Sequence, residues 1–105
     1  MKENIIVIKT EAKIYRIRKE EVFSVAVASG IATFLLEDGC KIEKSMTLKS
    51  ALELLPDFVK VNRNCIINSD KIKSICKKTR TVTMVNNEEY KVSFREIAKV
   101  CFTLN

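Results

Sequence analysis

One stretch of the 105-residue chain gathers side chains suited to holding a polyanion: Phe58 to Ile72, FVKVNRNCIINSDKI. Its apolar residues Phe58, Val61, Ile66, Ile67 and Ile72 read as core anchors, which leaves Lys60, Asn62, Arg63, Asn64 and Asn68 to solvent or a partner. A basic residue between amides suits nucleic acid. An arginine fork matches guanine O6 and N7 or a phosphate, and asparagine pairs with adenine or reaches a phosphate oxygen. Asparagine also closes tight turns by bonding to its own backbone. Asn68 is assigned to that turn role and Arg63 to contact with a partner.

The charge distribution supports this reading. Between Phe58 and Arg95 stand nine basic residues (Lys60, Arg63, Lys71, Lys73, Lys77, Lys78, Arg80, Lys91, Arg95) against three acids (Asp70, Glu88, Glu89). The remainder of the chain is balanced, so the whole formal charge of +6 lies in this segment. Such asymmetry is what a polyanion-binding surface produces, although a solvated lysine-rich face has the same composition.

Other chemistries have fewer resources. Histidine is absent, which removes Ser-His-Asp and Cys-His catalysis, His-ligated zinc and the usual neutral-pH proton shuttle. The four cysteines, Cys40, Cys65, Cys76 and Cys101, share no CxxC and are expected to be reduced, mostly buried packing residues without metal. The carboxylates are scattered, and two glycines in all cannot build a GxGxxG or Walker loop. An enzyme, a cofactor and a small-molecule substrate are therefore not expected. Nor is a membrane partner: apolar runs reach only four or five residues, and the N-terminus lacks the features of a secretory signal, so a cytoplasmic location is expected.

The elements that must position these residues are short. Ile5 to Lys9 and Lys13 to Arg18 read as strands. So does Val22 to Ala28, with Phe23, Val25 and Val27 on one face, joined through Ser29-Gly30 to Ile31 to Leu36. Asp38-Gly39 suits a type I′ turn into Cys40 to Lys44. The period then changes: Leu48, Ala51, Leu52 and Leu55 form a helical stripe, with Thr47 or Ser45 as N-cap and Pro56 as stop. Short strands follow at Phe58 to Val61, Cys65 to Ile67 and Ile72 to Cys76. Lys77 to Thr79 is a turn, and Asn86-Asn87 a two-residue hairpin between Arg80 to Val85 and Glu88 to Val92. Ser93 and Glu96 read as a capping box that places Arg95 in the first turn of a last helix. The expected fold is mainly β: about ten short antiparallel strands in small packed sheets, with two short helices, in one domain spanning residues 1–105.

These residues carry a specific resemblance. From Ile5 to Leu104 the chain is similar to the LytTR-type DNA-binding domain of bacterial transcription regulators. That family's most recognisable stretch matches Phe58 to Asn68 in spacing, and the Asp38-Gly39 hairpin with its following helix and the closing Val92-Ser93-Phe94-Arg95 recur in register. The resemblance implies a LytTR-like β sandwich that inserts loops into successive major grooves of double-stranded DNA, usually as a pair on promoter direct repeats. It implies base contacts from Arg63 and Arg95, beside Asn62 and Asn64. The basic segment itself adds Lys60, Lys77, Lys78 and Arg80 to the expected interface, Lys77 and Lys78 in a turn where they can at most touch phosphate. A third contact belongs to the loop that here reads Ser29-Gly30-Ile31. Asn62 and Asn64 stand where the family often has His and Ser. Many members carry a receiver domain ahead of this one; the 105 residues contain none, so the chain is expected to be a stand-alone regulator or a piece of a longer response regulator. Two rivals are a single-stranded nucleic-acid binder, disfavoured because the seven aromatics mostly fall on inward faces or the helix stripe, and a LytTR-like protein-interaction module, disfavoured because Arg63 and Arg95 are both present.

Overall fold

A computed structural model of the protein describes residues 4–104. Strands β1 (Ile5–Lys9) and β2 (Ile14–Arg18) form a separate antiparallel pair. Strands β3 (Val22–Ala28), β4 (Ile31–Leu36), β5 (Lys41–Ser45), β6 (Val59–Asn62) and β7 (Cys65–Ile67) make a five-stranded sheet in the order β5-β4-β3-β7-β6. Helix α1 (Leu48–Leu54) connects β5 to β6. Strands β8 (Ile72–Cys76), β9 (Thr81–Met84) and β10 (Glu89–Lys91) make a third sheet, and helix α2 (Ile97–Thr103) closes the chain. Every strand pairing is antiparallel, as the short, turn-separated strands of the sequence predict.

The five-stranded sheet is the middle layer, with a core on each face. One core joins Ile6 and Ile8 of β1, Val22 and Val25 of β3, Phe34 of β4, Ile42 of β5 and Ile66 of β7 to Ala51 and Leu55 at α1. The other joins Phe23, Val59, Val61, Cys65 and Ile67 to Val82 and Met84 of β9, Val92, and Val100 of α2. Strand β7 is buried on both faces, which is why Cys-Ile-Ile is a continuous apolar run instead of an alternating one. The expectation that Phe23 shares a face with Val25 and Val27 is overturned. The β3–β4 register shifts between Val22 and Ser24, and this bulge sends Phe23 into the second core while Val25 stays in the first. Ser24, also buried, meets the Tyr90 hydroxyl at 2.7 Å and links the middle sheet to β10.

The turns follow local chemistry, with some departures from expectation. Ser29 (φ 52) and Gly30 (φ 78) both take left-handed backbone, the requirement of a two-residue type I′ hairpin. Asp38-Gly39 does not form that turn, because only Gly39 has positive φ (88). The loop has three residues instead: the Gly39 N–H donates to Leu36 O and the Leu36 N–H to Cys40 O, both at 2.9 Å. The Asn86-Asn87 turn is corrected in the same way. Asn87 alone is left-handed (φ 71), its N–H donates to Met84 O at 2.8 Å, and the Met84 N–H donates to Glu88 O at 2.9 Å. In each loop the Asx side chain, Asp38 or Asn86, accepts the N–H two residues on. Arg80, which the sequence pattern puts in a strand, ends the β8–β9 turn with φ 52.

Thr47 is the N-cap of α1, its hydroxyl accepting from the Ser50 N–H at 3.1 Å. At the second helix only half of the capping box forms: Ser93 Oγ accepts from the Glu96 N–H at 3.3 Å, and Glu96, not Ser93, is the N-cap. All four cysteines are free, but only Cys65 is buried; Cys40 and Cys76 are exposed because each stands where a strand meets a turn.

Candidate nucleic-acid interface

Backbone pairing draws four loops to one edge of the molecule. Ala26 pairs with Cys65 and the Val27 N–H donates to Asn64 O at 2.8 Å, so the Ser29-Gly30 hairpin tip projects just beyond the Arg63-Asn64 turn. The Ser93 N–H donates to Val61 O at 2.8 Å, which sets the segment leading to Arg95 beside the same turn. The Val92 N–H donates to Arg80 O at 2.8 Å, and Lys91 Nζ donates to Thr79 O at 2.6 Å, which brings in the Lys77 to Arg80 turn. Along this edge of a body measuring 43 × 31 × 22 Å the loops run Ser29-Gly30, Arg63-Asn64, Ser93 to Arg95, Lys77 to Arg80.

The two central loops enclose a cleft of about 420 Å³, lined by Lys60, Asn62, Arg63 and Asn64 on one side and Ser93, Arg95 and Glu96 on the other. Arg63 and Arg95 are exposed, and among the described residues no hydrogen bond or ion pair engages either guanidinium. Asn62 is differently used. Its Nδ2 donates to Lys91 O at 2.9 Å and its Oδ1 accepts from the Asn64 N–H at 2.9 Å, so the amide shapes the Arg63 turn and ties it to the strand before Arg95. Asn68 is buried and takes the turn role: Nδ2 donates to Val22 O at 3.1 Å and Oδ1 accepts from the Asp70 N–H at 3.0 Å.

Arg95 stands in the turn before α2, not in the first turn of that helix. Lys77 and Lys78 are exposed at a turn tip, and Ser29, Gly30 and Ile31 are exposed on their hairpin. Arg80 is only half-exposed. Its Nε donates to Val92 O at 3.2 Å, and its guanidinium lies 5.6 Å from the centroid of the Phe94 ring.

Phe94 is the residue that the sequence reading missed. Phe94 and Phe102 are each 80% exposed, against the inward placement expected of the aromatics. The capping-box reading puts Phe94 at the start of the last helix, but residues 94–96 form a turn ahead of that helix and leave the ring in solvent. The only available signal was its place between a turn-forming Ser and an Arg.

The opposite edge has the opposite sign. There the Glu37 N–H donates to Glu21 O, the Asn68 N–H to Phe23 O and the Val85 N–H to Lys71 O, gathering turns that carry Glu20, Glu21, Glu37, Asp38, Asp70 and Glu88 against Lys19 and Lys71. Lys71, one of the nine basic residues, is neutralised there by Glu37 at 3.1 Å. At the basic edge, hydrogen bonds from the Thr79 side chain and backbone, with the Lys91 charge as a smaller influence, hold the exposed Cys76 thiol below its ordinary pKa. Among the described residues no group of His, Cys, Asp or Glu is placed to hold a metal ion, and no helix is long and apolar enough to cross a membrane.

The fold has a solved counterpart. The fold is similar to that of the LytTr DNA-binding domain of a protein described as a methyl-accepting/DNA response regulator from Bacillus cereus. The TM-score is 0.81 with 97% of each chain covered, at 21% sequence identity. No curated protein matches the chain in sequence. The family model of the LytTr DNA-binding domain matches residues 12–104, which takes in nearly every described element and all four loops of the basic edge; the chain therefore belongs to the LytTr DNA-binding domain family.

Proposed function

We propose that the chain is the sequence-reading DNA-binding domain of a bacterial transcription regulator, that it acts without catalysing a reaction, and that it contacts duplex DNA through the four-loop basic edge. The observation that carries this reading is the cleft in which Arg63 and Arg95, far apart in sequence, stand together with free guanidinium groups. Family membership supports it. So does the polarity of charge, because a duplex held at the basic edge keeps the acidic turns on the far side from its phosphates.

Within this reading Arg63 and Arg95 contact base edges in the major groove, and the Ser29-Gly30-Ile31 tip reaches the groove or backbone beyond Arg63. Lys60, Lys77 and Lys78 contact phosphate. Asn62 and Arg80, each with one donor engaged inside the protein, act by positioning. Asn64 keeps a free side chain beside Arg63 and contacts DNA directly. The domain takes in residues 1–105 and binds as a pair on promoter direct repeats in the cytoplasm, either alone or under the control of a receiver domain in a longer response regulator.

The test is a salt titration on duplex DNA. With about six phosphates neutralised, affinity should fall roughly a thousandfold between 50 and 200 mM salt. Binding that is flat across that range, or tighter to single strands than to duplex, overturns the reading.

A further inference from the structure

Phe94 is the least explained side chain on the basic edge. A phenylalanine left 80% exposed keeps a large apolar surface in water, and it does so directly beside Arg95. One face of its ring is capped by Arg80 at 5.6 Å. That cation is itself pinned, through Nε to Val92 O at 3.2 Å and through the Val92 N–H donating to Arg80 O at 2.8 Å. The ring is therefore supported on one side by a residue that itself holds left-handed backbone (φ 52) at the end of the β8–β9 turn. The rest of the ring is exposed to solvent, and Phe94, which does not itself line the cleft, stands between Ser93 and Arg95, which both do.

We infer, resting on the duplex-DNA reading above, that Phe94 is a specificity-determining residue that packs against the C5-methyl group of a thymine next to the base read by Arg95. The chemistry follows from what a duplex offers. Base faces are stacked on one another and unavailable to an aromatic ring, and the thymine methyl is the one apolar group that base edges present in the major groove. Arg95 selects a base by hydrogen bonding, and Phe94 adds an apolar preference at the neighbouring pair. Arg80 is the positioning residue that holds the ring at the correct height.

The experiment selects duplexes from a random-sequence pool with the wild-type protein, then replaces each thymine of the enriched site by uracil, one at a time. Wild type should enrich a thymine beside the position whose preference is lost in Arg95→Ala, and uracil there should weaken binding roughly fourfold, the worth of one buried methyl. Phe94→Ala should bind the thymine and uracil duplexes equally, and Phe94→Leu should keep part of the discrimination. A purely structural role would lower affinity for both duplexes together and leave their ratio unchanged, and circular dichroism checks that each variant is folded. Enrichment of a site with no thymine at that position, indifference of the wild type to every uracil replacement, or an undiminished ratio in Phe94→Ala overturns the inference while duplex binding stands. Failure to enrich any duplex overturns the duplex reading as well.

Discussion

The carboxamide of Asn62 donates to the carbonyl of Lys91 at 2.9 Å and couples the turn that carries Arg63 to the strand that leads to Arg95. Its oxygen accepts the Asn64 N–H, so a single side chain sets both the shape of one loop and its distance from the next. Asn62→Ala should cost about 1 kcal/mol of stability, because water can partly replace both bonds at this exposed site, and should weaken cognate duplex roughly tenfold by loosening the spacing of the two arginines. Urea denaturation and duplex titration check the two effects. Intact stability with a flattened preference at one base pair would mean that Asn62 contacts a base directly.

Arg95 and Lys77 should separate base reading from phosphate binding. Arg95→Ala is expected to cost about 1 to 3 kcal/mol on the selected site and little on scrambled duplex, with Arg63→Ala behaving similarly. Lys77→Ala, at an exposed turn tip, should weaken both duplexes equally and lower the salt slope by about one unit. Equal losses on both duplexes for Arg95→Ala would remove its base-reading role.

Cys65 makes stability fall at high pH. Burial pushes its thiol from an ordinary value of 9.0 up to about 12. Because the folded pKa is the higher one, the unfolded chain loses the proton first, so the contribution is complete below pH 9.0 and declines as pH rises toward 12. The stability advantage of wild type over Cys65→Ala should narrow by about 1.4 kcal/mol per pH unit in that window. Denaturation curves at a series of alkaline pH values test this. A constant difference would mean that Cys65 ionises as readily folded as unfolded.

Gly39 and Asn87 occupy equivalent positions in two similarly bonded loops, at φ 88 and φ 71. Gly39→Ala should lower stability by about 1 kcal/mol through backbone strain alone, since a Cβ there meets nothing within 4 Å. Asn87→Gly should be neutral or slightly stabilising, the relief of φ offsetting the added freedom of the unfolded chain. Thermal unfolding of both variants checks the pair, and a costly Asn87→Gly would show that the Lys73 Nζ contact to Asn87 Oδ1 at 3.3 Å matters more than backbone strain.

The order and type of the main elements are local matters, and the sequence alone determined them, although not their bounds or every turn. Thr47 ahead of a helical stripe, Ser29-Gly30 between two β-branched runs and the change of period after Ser45 each act through contacts within a few residues, so their strands and helices were readable without the fold. The concentration of positive charge between Phe58 and Arg95, and the resemblance of Phe58 to Asn68 to a known DNA-binding stretch, were also open to reading. Three things were decided only by tertiary structure. The bulge after Val22 divided Phe23 from Val25, because which face a strand residue takes depends on a partner strand distant in sequence. The chain turned after Val92 and left Phe94 in solvent, because the Ser93 N–H found Val61 O on another sheet instead of continuing its own. Asn62 and Arg80, which the sequence offers as free polar groups, each had a donor taken up, by Lys91 O and Val92 O, while among the described residues the guanidinium groups of Arg63 and Arg95, which line one cleft, found no partner. A side chain's type states what it can bond to; only the folded chain decides which partners come within about 3 Å and which groups remain free.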